Sequence, residues 1–331
     1  MKKTLVFAVM AAAALSCSKE MPKPSVSLES SVPASEPAQL TVSINSPTSK
    51  ATTIDTENES KVSTLDVFVF KSDVSGMILD AYGSSTSSSI TLSATTGSRR
   101  IWAIVNADSG LGLSAVTTEA ELIAKVSSLA NNTLSKFVMT GNTTSNLSSV
   151  NSVMVDVNRI AARVKVKKVT FALPEAFNGK TQSVVRVYLT NVAGNLTFGG
   201  SVPASPQWFA TTTLLESGGQ RDLILNTWNA TNGATLYCYP NSNASTKTKV
   251  VTEVMIDTKK YTYPIEIPSI AANTSYEINE LVITRPGNPS NGNNTIDDGE
   301  NDTITVKDVN FSISVKDWNL ILLGSDGTVT I

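Results

Sequence analysis

The side chains that most often carry chemistry are scarce in this chain, which contains no histidine and two cysteines. Without histidine there is no Ser-His-Asp triad, no Cys-His pair and no imidazole ligand for zinc or copper. Cys17 and Cys238 do not make a disulfide framework, and Cys238 lies between two tyrosines in an apolar segment, where a buried, inert thiol is expected. No acid, base or nucleophile stands out among the carboxylates, lysines, tyrosines and serines. We therefore predict a protein that is not an enzyme and needs no cofactor.

The remaining candidates for chemistry are an acidic run and the tryptophans. The run Asp297–Asp302 offers the oxygen ligands that Ca²⁺ prefers, but it lacks the alternating spacing of an EF-hand. A solvated loop is therefore the simpler interpretation, with calcium as the alternative and no metal site predicted. Trp208 and Trp228 lie in loop-like sequence, where they could stack on sugar rings. Trp102 and Trp318 lie in strand-like sequence and are expected in the core.

The overall charge disfavours a nucleic-acid partner. Lys+Arg is 26 and Asp+Glu is 28, a net charge of −2. Binding to the phosphate backbone requires an excess of basic side chains, which this chain lacks. Arg163 and Lys165 alternate with valines, and we interpret them as the solvent face of a strand and not as a basic patch.

The chain begins with an export signal. A short positive segment precedes the apolar run Thr4–Leu15, which is too short to cross ~30 Å of hydrocarbon, since a spanning helix needs ~20 residues. This pattern is typical of a secretory signal peptide, which we place at residues 1–16. Cys17 follows at once and is similar to the acylated cysteine of a bacterial lipobox, with Ala14 where leucine is usual. We expect lipidation at Cys17; an ordinary signal peptide with an incidental cysteine is the alternative.

The rest of the chain is dominated by strand patterns. Residues 17–37 are rich in proline and serine and predict a solvated tether. Leu40, Val42 and Ile44 then alternate with polar residues, which predicts a half-buried strand. Further strands are predicted at residues 62–70, 89–93, 99–106, 153–157, 162–169, 183–193, 234–239, 249–257, 260–267, 275–284, 309–315, 318–323 and 328–331. The nearly continuous apolar run at 101–105 predicts burial on both faces.

One helix is predicted. Thr118 and Glu121 have the spacing of a capping box, and Asn131-Asn132 marks the end of the helix. The apolar residues at helical spacing between them are Leu122, Ile123, Val126 and Leu129.

Many short strands, few helices and turns rich in glycine, asparagine and serine predict a mostly β fold. We expect two β-sandwich-like (transthyretin-like) domains with one or few short helices. The boundary is predicted near Leu173-Pro174, which gives an N-terminal domain at 38–173 and a C-terminal domain at 174–331.

The two ends of the chain together suggest a mechanism. The strand at Leu40–Ile44 is joined to the body through the polar loop Ser46–Ser60, which contains Lys50 followed by Ala51. A trypsin-like cut after Lys50 would leave that strand held only by non-covalent contacts. Its departure would open a groove with unpaired backbone groups, which recruits another strand. If a neighbouring copy supplied that strand head to tail, the contact would not close and would build a filament.

Several segments resemble the fimbrillins, the type V pilin subunits of Bacteroidota-type bacteria. They are the start Cys17–Glu20, Ser49–Ala51 followed by Glu59–Phe70, Gly97–Ala107, Asn158–Val164, Ile283–Gly287 and Val315–Trp318. Each segment alone is weak, but their order and spacing together are fairly specific and cover nearly the whole chain.

The resemblance implies an outer-membrane lipoprotein precursor whose N-terminal strand is removed by a surface protease, after which the subunit joins a surface fimbrium. Processing would fall between Lys50 and Ala51, where the family usually has arginine, and residues 38–50 would contain the removable strand and the cleavage loop. The implied donor residues, which would fill the gap in a neighbour, lie at the C-terminus: Leu320, Leu322, Val329 and Ile331. The implied partners are other copies or related subunits, the protease, the outer membrane through the lipid, and an adhesion ligand.

Two alternatives stay open. The first is a non-polymerising anchor or tip protein of the same assembly, which would keep its lipid and lack an exposed basic residue in the Ser46–Ser60 loop; Lys50 favours the stalk subunit. The second is a surface lipoprotein that binds glycans through Trp208 and Trp228. Such a lipoprotein would stay monomeric after protease treatment.

Overall fold

The computed structural model describes residues 35–45, 59–213, 219–292, 296, 313–316, 318–323 and 328–331. For residues 219–221, 313–316 and 318–322 only the backbone is described. The signal peptide, Cys17, Lys50, Ala51 and the run Asp297–Asp302 lie outside the described residues, so those predictions stay predictions.

The protein is built mainly of strands, as the sequence predicts. The strands before residue 175 are β1 (Pro37–Asn45), β2 (Leu65–Lys71), β3 (Leu79–Ser85), β4 (Ser89–Thr95), β5 (Gly97–Val105), β6 (Val126–Ser128), β7 (Met139–Leu147), β8 (Val150–Asp156), β9 (Asn158–Arg159), β10 (Ala162–Val166) and β11 (Val169–Phe171). Those that follow are β12 (Gln182–Thr190), β13 (Val192–Ala193), β14 (Asn195–Thr197), β15 (Trp208–Phe209), β16 (Leu225–Thr227), β17 (Ala234–Cys238), β18 (Lys249–Ile256), β19 (Lys259–Glu266), β20 (Thr274–Ile278), β21 (Glu280–Ile283), β22 (Asn288–Ser290), β23 (Ile313–Lys316), β24 (Trp318–Leu322) and β25 (Thr328–Thr330).

The described helices are short. Two are α-helices, α1 (Glu119–Ile123) and α2 (Gly219–Ile224). The 3₁₀ turns are Ser109–Leu111, Leu113–Ala115, Leu129–Asn131 and Glu175–Phe177. Within the part of the chain that the structure describes, none is long and apolar enough to cross a bilayer.

Two sheets of the first half share one apolar core. A three-stranded sheet has the order β4-β1-β8, and a five-stranded sheet has the order β3-β2-β5-β7-β9. Buried residues of both sheets form the smaller core of the molecule: Leu40, Val42, Ile44, Leu65, Val67, Val69, Leu92, Ala94, Ile101, Ala103, Val105, Met139, Leu147, Val155 and Val157. This arrangement is a β-sandwich in which β1 is a central strand.

The five-stranded sheet has a second buried face. Phe68 and Phe70 on β2, and Trp102 and Ile104 on β5, belong to the larger core. Adjacent residues of β5 therefore point into different cores, and no residue from Ile101 to Val105 is more than 7% exposed. The predicted burial of this strand on both faces is confirmed, and it explains why the strand is continuously apolar.

Three further sheets contribute side chains to the larger core. Two five-stranded sheets have the orders β17-β10-β20-β24-β23 and β16-β12-β18-β19-β22, and a three-stranded sheet has the order β11-β21-β25. The predicted domain boundary at Leu173-Pro174 lies between β11 and β12. The division into two domains stays a prediction.

The predicted helix is shorter than its pattern suggests. Thr118 caps α1 by accepting a hydrogen bond from the Glu121 N–H at 3.3 Å, but the helix ends at Ile123. Val126–Ser128 then forms β6 and pairs antiparallel with β14. The helical spacing of the later apolar residues does not give a helix, because Val126 lies in a strand and Leu129 in a 3₁₀ turn, so tertiary pairing overrides local propensity.

Candidate functional site

The N-terminal strand lies in a groove between β4 and β8. It runs antiparallel to β4 and parallel to β8, with Val42 opposite Ile90 on one side and Val153 on the other. The inward side chains alternate along the strand, as the sequence predicts: Ala38, Leu40, Val42 and Ile44 are 4%, 0%, 0% and 8% exposed. The outward face is polar, and the hydroxyls of Thr41 and Thr91 lie 3.0 Å apart.

Backbone hydrogen bonds hold both ends of this strand. Near its start the Gln39 N–H donates to the Ser149 carbonyl at 2.8 Å, and near its end the Ile44 N–H donates to the Ser88 carbonyl at 3.0 Å. The residue just before β1 is also hydrogen-bonded, because the Thr96 N–H donates to the Glu36 carbonyl at 2.8 Å. These bonds are made to both walls of the groove.

Removal of β1 would therefore open a specific groove. The facing edges of β4 and β8 would lose their ladder partners, and the core would lose the side chains of Leu40, Val42 and Ile44. Burial of one such side chain is worth about 1.5–3 kcal/mol. An emptied groove of this kind has both the backbone groups and the apolar pockets that favour capture of another strand.

The chain re-enters the described structure at Glu59, near the end of the predicted loop Ser46–Ser60. The Glu59 side chain is buried and pairs with Arg163, whose Nη1 lies 3.2 Å from its Oε2. The Tyr237 hydroxyl also donates to Glu59, and Arg159 Nε donates to the Glu59 carbonyl at 2.9 Å. A buried carboxylate with these partners fixes the point where the chain continues after the loop.

The position of Arg163 corrects the sequence-based interpretation. We expected this residue on a solvent face, but it is 4% exposed and lies inside a buried ionic cluster. Its Nη2 lies 3.4 Å from Glu277 Oε1, and its Nε donates to the Ser275 hydroxyl at 2.9 Å. Burial alone would raise the pKa of Glu277, but the charges and hydrogen bonds of Lys167 and Arg163 outweigh it and lower the pKa. Alternation with valine predicts a strand correctly, but it does not show which face of the strand is exposed to solvent.

The predicted donor segment lies in the chain's own sheets. β24 pairs parallel with β20 and antiparallel with β23, and Leu320 and Leu322 lie on this strand. The Leu323 N–H donates to the Glu277 carbonyl at 2.8 Å. The backbone of this segment therefore has partners within the same molecule.

The last strand, β25, occupies a sheet edge. It pairs parallel with β21 and has no neighbour on its other side among the described strands. Val329 and Ile331 are 1% and 4% exposed. The Ile331 carbonyl accepts hydrogen bonds from the Thr284 N–H at 2.8 Å and from the Thr284 hydroxyl at 2.6 Å.

The two ends of the chain carry nearly the same tetrapeptide. Residues 41–44 are Thr-Val-Ser-Ile and residues 328–331 are Thr-Val-Thr-Ile. In both places valine and isoleucine are buried, while serine and threonine occupy the alternate positions. Comparing the predicted strands with one another, and not only with a strand template, would have found this match from the sequence.

The other candidate residues do not form a site. Trp208 and Trp228 pack half-buried against the larger core, and Trp102 is 7% exposed. Cys238 is buried, as predicted, and burial raises the pKa of its thiol to about 12. Across the described ranges, no group of three or more His, Cys, Asp or Glu residues could hold a metal ion.

Sequence comparison identifies one family. The sequence model of the family described as "Major fimbrial subunit protein (FimA)" matches residues 38–195. This range contains β1 except Pro37, both walls of its groove and the strands up to β13. No curated protein matches the sequence.

Several solved structures share the fold. A fimbrilin (FimA) from Porphyromonas gingivalis W83 matches with a TM-score of 0.60 and 15% identity, over 88% of this chain and 97% of that one. A candidate cell adhesion protein from Bacteroides eggerthii DSM 20697 matches with a TM-score of 0.62 and 16% identity, over 86% and 97% of the two chains. Another from Parabacteroides distasonis ATCC 8503 matches with a TM-score of 0.56 and 14% identity, over 79% and 97%. At these identities the likeness establishes the fold.

Proposed function

We propose that this chain, a fimbrial protein by its match to the FimA family model over residues 38–195, is a structural subunit that polymerises by strand exchange. The family match agrees with the resemblance to the fimbrillins that the sequence predicts. Its partners are other copies or related subunits, and the resulting surface fimbria supports adhesion. In this role the chain works through backbone pairing and apolar pockets, and it catalyses no reaction.

The observation that carries the proposal is the position of β1. This strand is central in its sheet and fully buried at Leu40 and Val42, yet it follows a Pro/Ser-rich tether and precedes a loop that contains Lys50. Cleavage after Lys50 cuts the covalent link between β1 and β2, while Glu59 keeps the downstream chain attached to Arg163 and Tyr237. The strand can then leave without breaking any ladder pairing of the sheet β3-β2-β5-β7-β9.

The C-terminal tail is the proposed donor. Val329 and Ile331 match Val42 and Ile44 in type and spacing, and they come from a strand that has one neighbour among the strands that the structure describes. In the register that aligns the two tetrapeptides, Val329 takes the pocket of Val42 and Ile331 takes that of Ile44. Leu320 and Leu322 supply further apolar side chains upstream. A neighbour's tail bound in this way creates a head-to-tail contact that does not close.

Export and anchoring precede assembly in this proposal. The signal peptide at residues 1–16 directs export, and acyl chains on Cys17 hold the precursor in the outer membrane. Since Cys17 lies before Lys50, the same cut that frees β1 also separates the subunit from its lipid. The fimbrium then grows from subunits that have lost both β1 and the lipid.

Limited trypsin digestion of the purified precursor tests the proposal. We expect a new N-terminus at Ala51, release of the peptide that contains residues 38–45, and filaments by electron microscopy. Lys50→Ala should give an uncut monomer, whereas Lys61→Ala, an exposed position beyond Glu59, should behave as the wild type. Filaments from uncut Lys50→Ala protein would contradict strand removal as the trigger. Quantitative cleavage and release without any filaments would favour the anchor or tip alternative.

The donor role is tested separately by the double variant Val329→Ser, Ile331→Ser. Its groove is intact, so cleavage and release of β1 should be normal while polymer yield falls. The processed variant should still accept a tail from wild-type subunits and cap their filaments. A wild-type yield of polymer would remove Val329 and Ile331 from the donor role.

A further inference from the structure

Arg99 is a fully buried arginine beside the groove. Its side chain is 0% exposed. Nε donates to Asp80 Oδ2 at 2.9 Å, and Nη1 lies 3.1 Å from Asp73 Oδ2. A buried guanidinium needs such partners, because removing its charge from water is otherwise too costly.

The remaining donors of Arg99 hold the end of β4. Nη2 donates to the Thr95 hydroxyl and to the Thr96 carbonyl, both at 2.6 Å. Asp80, on β3, accepts from the Thr95 N–H at 2.8 Å and from the Thr95 hydroxyl at 2.9 Å. Both members of the Arg99–Asp80 pair therefore bind Thr95, the last residue of β4.

The charge of Asp80 is stabilised by the same contacts. Burial alone would raise the pKa of its carboxyl, but the hydrogen bonds from Thr95 and Arg99 outweigh it and lower the pKa. Lys71 adds a cation 3.6 Å from Asp80 Oδ1. The pair is thus ionised at neutral pH and binds Thr95 through charge-assisted hydrogen bonds.

The backbone is also shaped around this cluster. Gly97 has φ +111°, a value that L side chains rarely adopt. A Cβ at this position would lie 3.0 Å from Asp73 Oδ2 and 3.1 Å from Arg99 Nη1. Glycine therefore lets the turn between β4 and β5 close over the ion pair.

The cluster lies where β1 enters its sheet. Thr95 is opposite Pro37 in the ladder, and the Glu36 N–H donates to the Thr96 hydroxyl at 2.9 Å. Among the described strands, β1 is the sole ladder partner of β4. Once β1 has left, β4 keeps its packing, its chain links to β3 and β5, and the contacts to Arg99 and Asp80.

We infer that the Arg99–Asp80 pair is a positioning element that holds β4 in place as a wall of the empty groove, ready for the incoming strand. The inference rests on the proposed function, because only a subunit that loses β1 requires its groove to persist. In the precursor β1 itself fixes β4, so the pair matters less there. In the processed subunit the pair keeps the backbone edge of β4 at the spacing that a strand requires.

The test uses Asp80→Asn, which removes the charge and changes the shape little. Precursor and processed subunit are compared, and the probe is a synthetic peptide of residues 37–45 added after β1 has been released. We expect the precursor to fold and to be cleaved like the wild type, because Asp73 still pairs with Arg99 and β1 still fixes β4. The peptide affinity of the processed variant should fall roughly 10- to 100-fold, the scale of a lost hydrogen bond to a charged group. The matched control is Asp257→Asn, which removes an exposed partner of Lys180 far from the groove in sequence.

Hydrogen exchange supplies a readout that a general loss of stability would not reproduce. In processed Asp80→Asn, amides of β4 should exchange faster while those of β12 and β18 keep their protection. Should the Asp80→Asn precursor fail to fold, Thr95→Val gives the same comparison, since it removes the hydroxyl that both members bind.

Wild-type peptide affinity in processed Asp80→Asn, or equal loss of protection across all strands, would overturn the inference. Its failure is distinguishable from failure of the proposed function. Wild-type subunits that bind the peptide but never form filaments would contradict polymerisation and leave the positioning role intact. Normal filaments from Asp80→Asn with normal peptide binding would contradict the positioning role and leave the proposed polymerisation intact.

Discussion

β1 and β25 contain nearly the same tetrapeptide but are held very differently. β1 has nine residues and lies between two strands, whereas β25 has three residues and lies at a sheet edge. Their valines and isoleucines are buried to a similar extent. The difference therefore comes from backbone pairing and strand length, and not from the apolar side chains.

This asymmetry suits a subunit that exchanges strands. A central strand that is covalently linked at both ends leaves only after a cut, so the groove stays closed before processing. An edge strand such as β25 has fewer backbone hydrogen bonds to break when it leaves its sheet. In the proposed exchange, this difference in pairing would favour transfer of β25 into the groove that β1 leaves in a neighbour.

The largest expected effect is the loss of β1 itself. Processed subunits freed of residues 35–45 should be less stable than the precursor by roughly 4.5–9 kcal/mol, since the three buried side chains of Leu40, Val42 and Ile44 contribute ~1.5–3 kcal/mol each. Urea unfolding of precursor and processed protein measures the difference. Addition of the 37–45 peptide should restore most of the stability. An unchanged unfolding midpoint after verified release of the peptide would show that β1 contributes little to the fold.

Leu40→Ala should give the next largest effect. Leu40 is 0% exposed, and a Leu→Ala change in a core costs about 2–5 kcal/mol. Thermal or urea unfolding of the uncut precursor measures the loss. The control is Val150→Ala on the neighbouring strand, because Val150 is 71% exposed and should change stability by less than about 0.5 kcal/mol. Similar losses in both variants would contradict the central position of β1.

Val329→Ala should cost less. Two methyl groups are removed from a buried position, which corresponds to about 1.5 kcal/mol at ~0.8 kcal/mol per group. Because β25 is paired on one side, the loss should open its edge locally before the whole molecule unfolds. Hydrogen exchange should show faster exchange at Ile331, whose N–H donates to the Val282 carbonyl at 3.0 Å, with the amides of β1 unaffected. Equal exposure of β1 would mean that the two strands unfold together.

The two regions also share a dependence on acid pH. The folded-state pKa of Asp80, beside β1, and of Glu277, beside the tail, lies below the ordinary values of 3.8 and 4.5. Each carboxylate therefore contributes stability above its unfolded pKa and loses it as the pH falls through the folded pKa. Urea midpoints should be flat from about pH 7 to about pH 5 and should fall steadily below about pH 4. A rise in stability on acidification would contradict both assignments.

The sequence located many of the strands, but it missed β3, β6 and β7 and did not show how the strands pair. Alternation located β1, and a continuous apolar run identified β5 as buried on both faces. By contrast β7, with the polar sequence MTGNTTSNL, carries no apolar alternation and is recognised only by its pairing with β5 and β9. A strand that is held between two neighbours by backbone hydrogen bonds needs little apolar content of its own.

The ionic clusters could not be predicted for a related reason. Arg163 alternates with valines in the same way as the half-buried Lys165 does, yet it is fully buried because Glu59 and Glu277 approach it from distant parts of the chain. Nothing local distinguishes a cation that faces water from one that meets two carboxylates. Arg99 is similar, since Asp73 and Asp80 lie on neighbouring elements and their approach depends on the fold.

The smallest expected effect tests the likeness of the two tetrapeptides most directly. Ser43→Thr makes residues 41–44 identical to residues 328–331. Ser43 is partly exposed on the outward face of β1, so the added methyl group meets no core side chain. Stability should change by less than about 0.5 kcal/mol, in the stabilising direction, because threonine favours strands more than serine does.

The reciprocal change Thr330→Ser should change stability as little and should leave polymer yield unchanged. A loss above about 1 kcal/mol for either variant would mean that the third position has a different environment in the two strands. The register that aligns Val329 with Val42 would then be wrong, even if the tail still fills the groove.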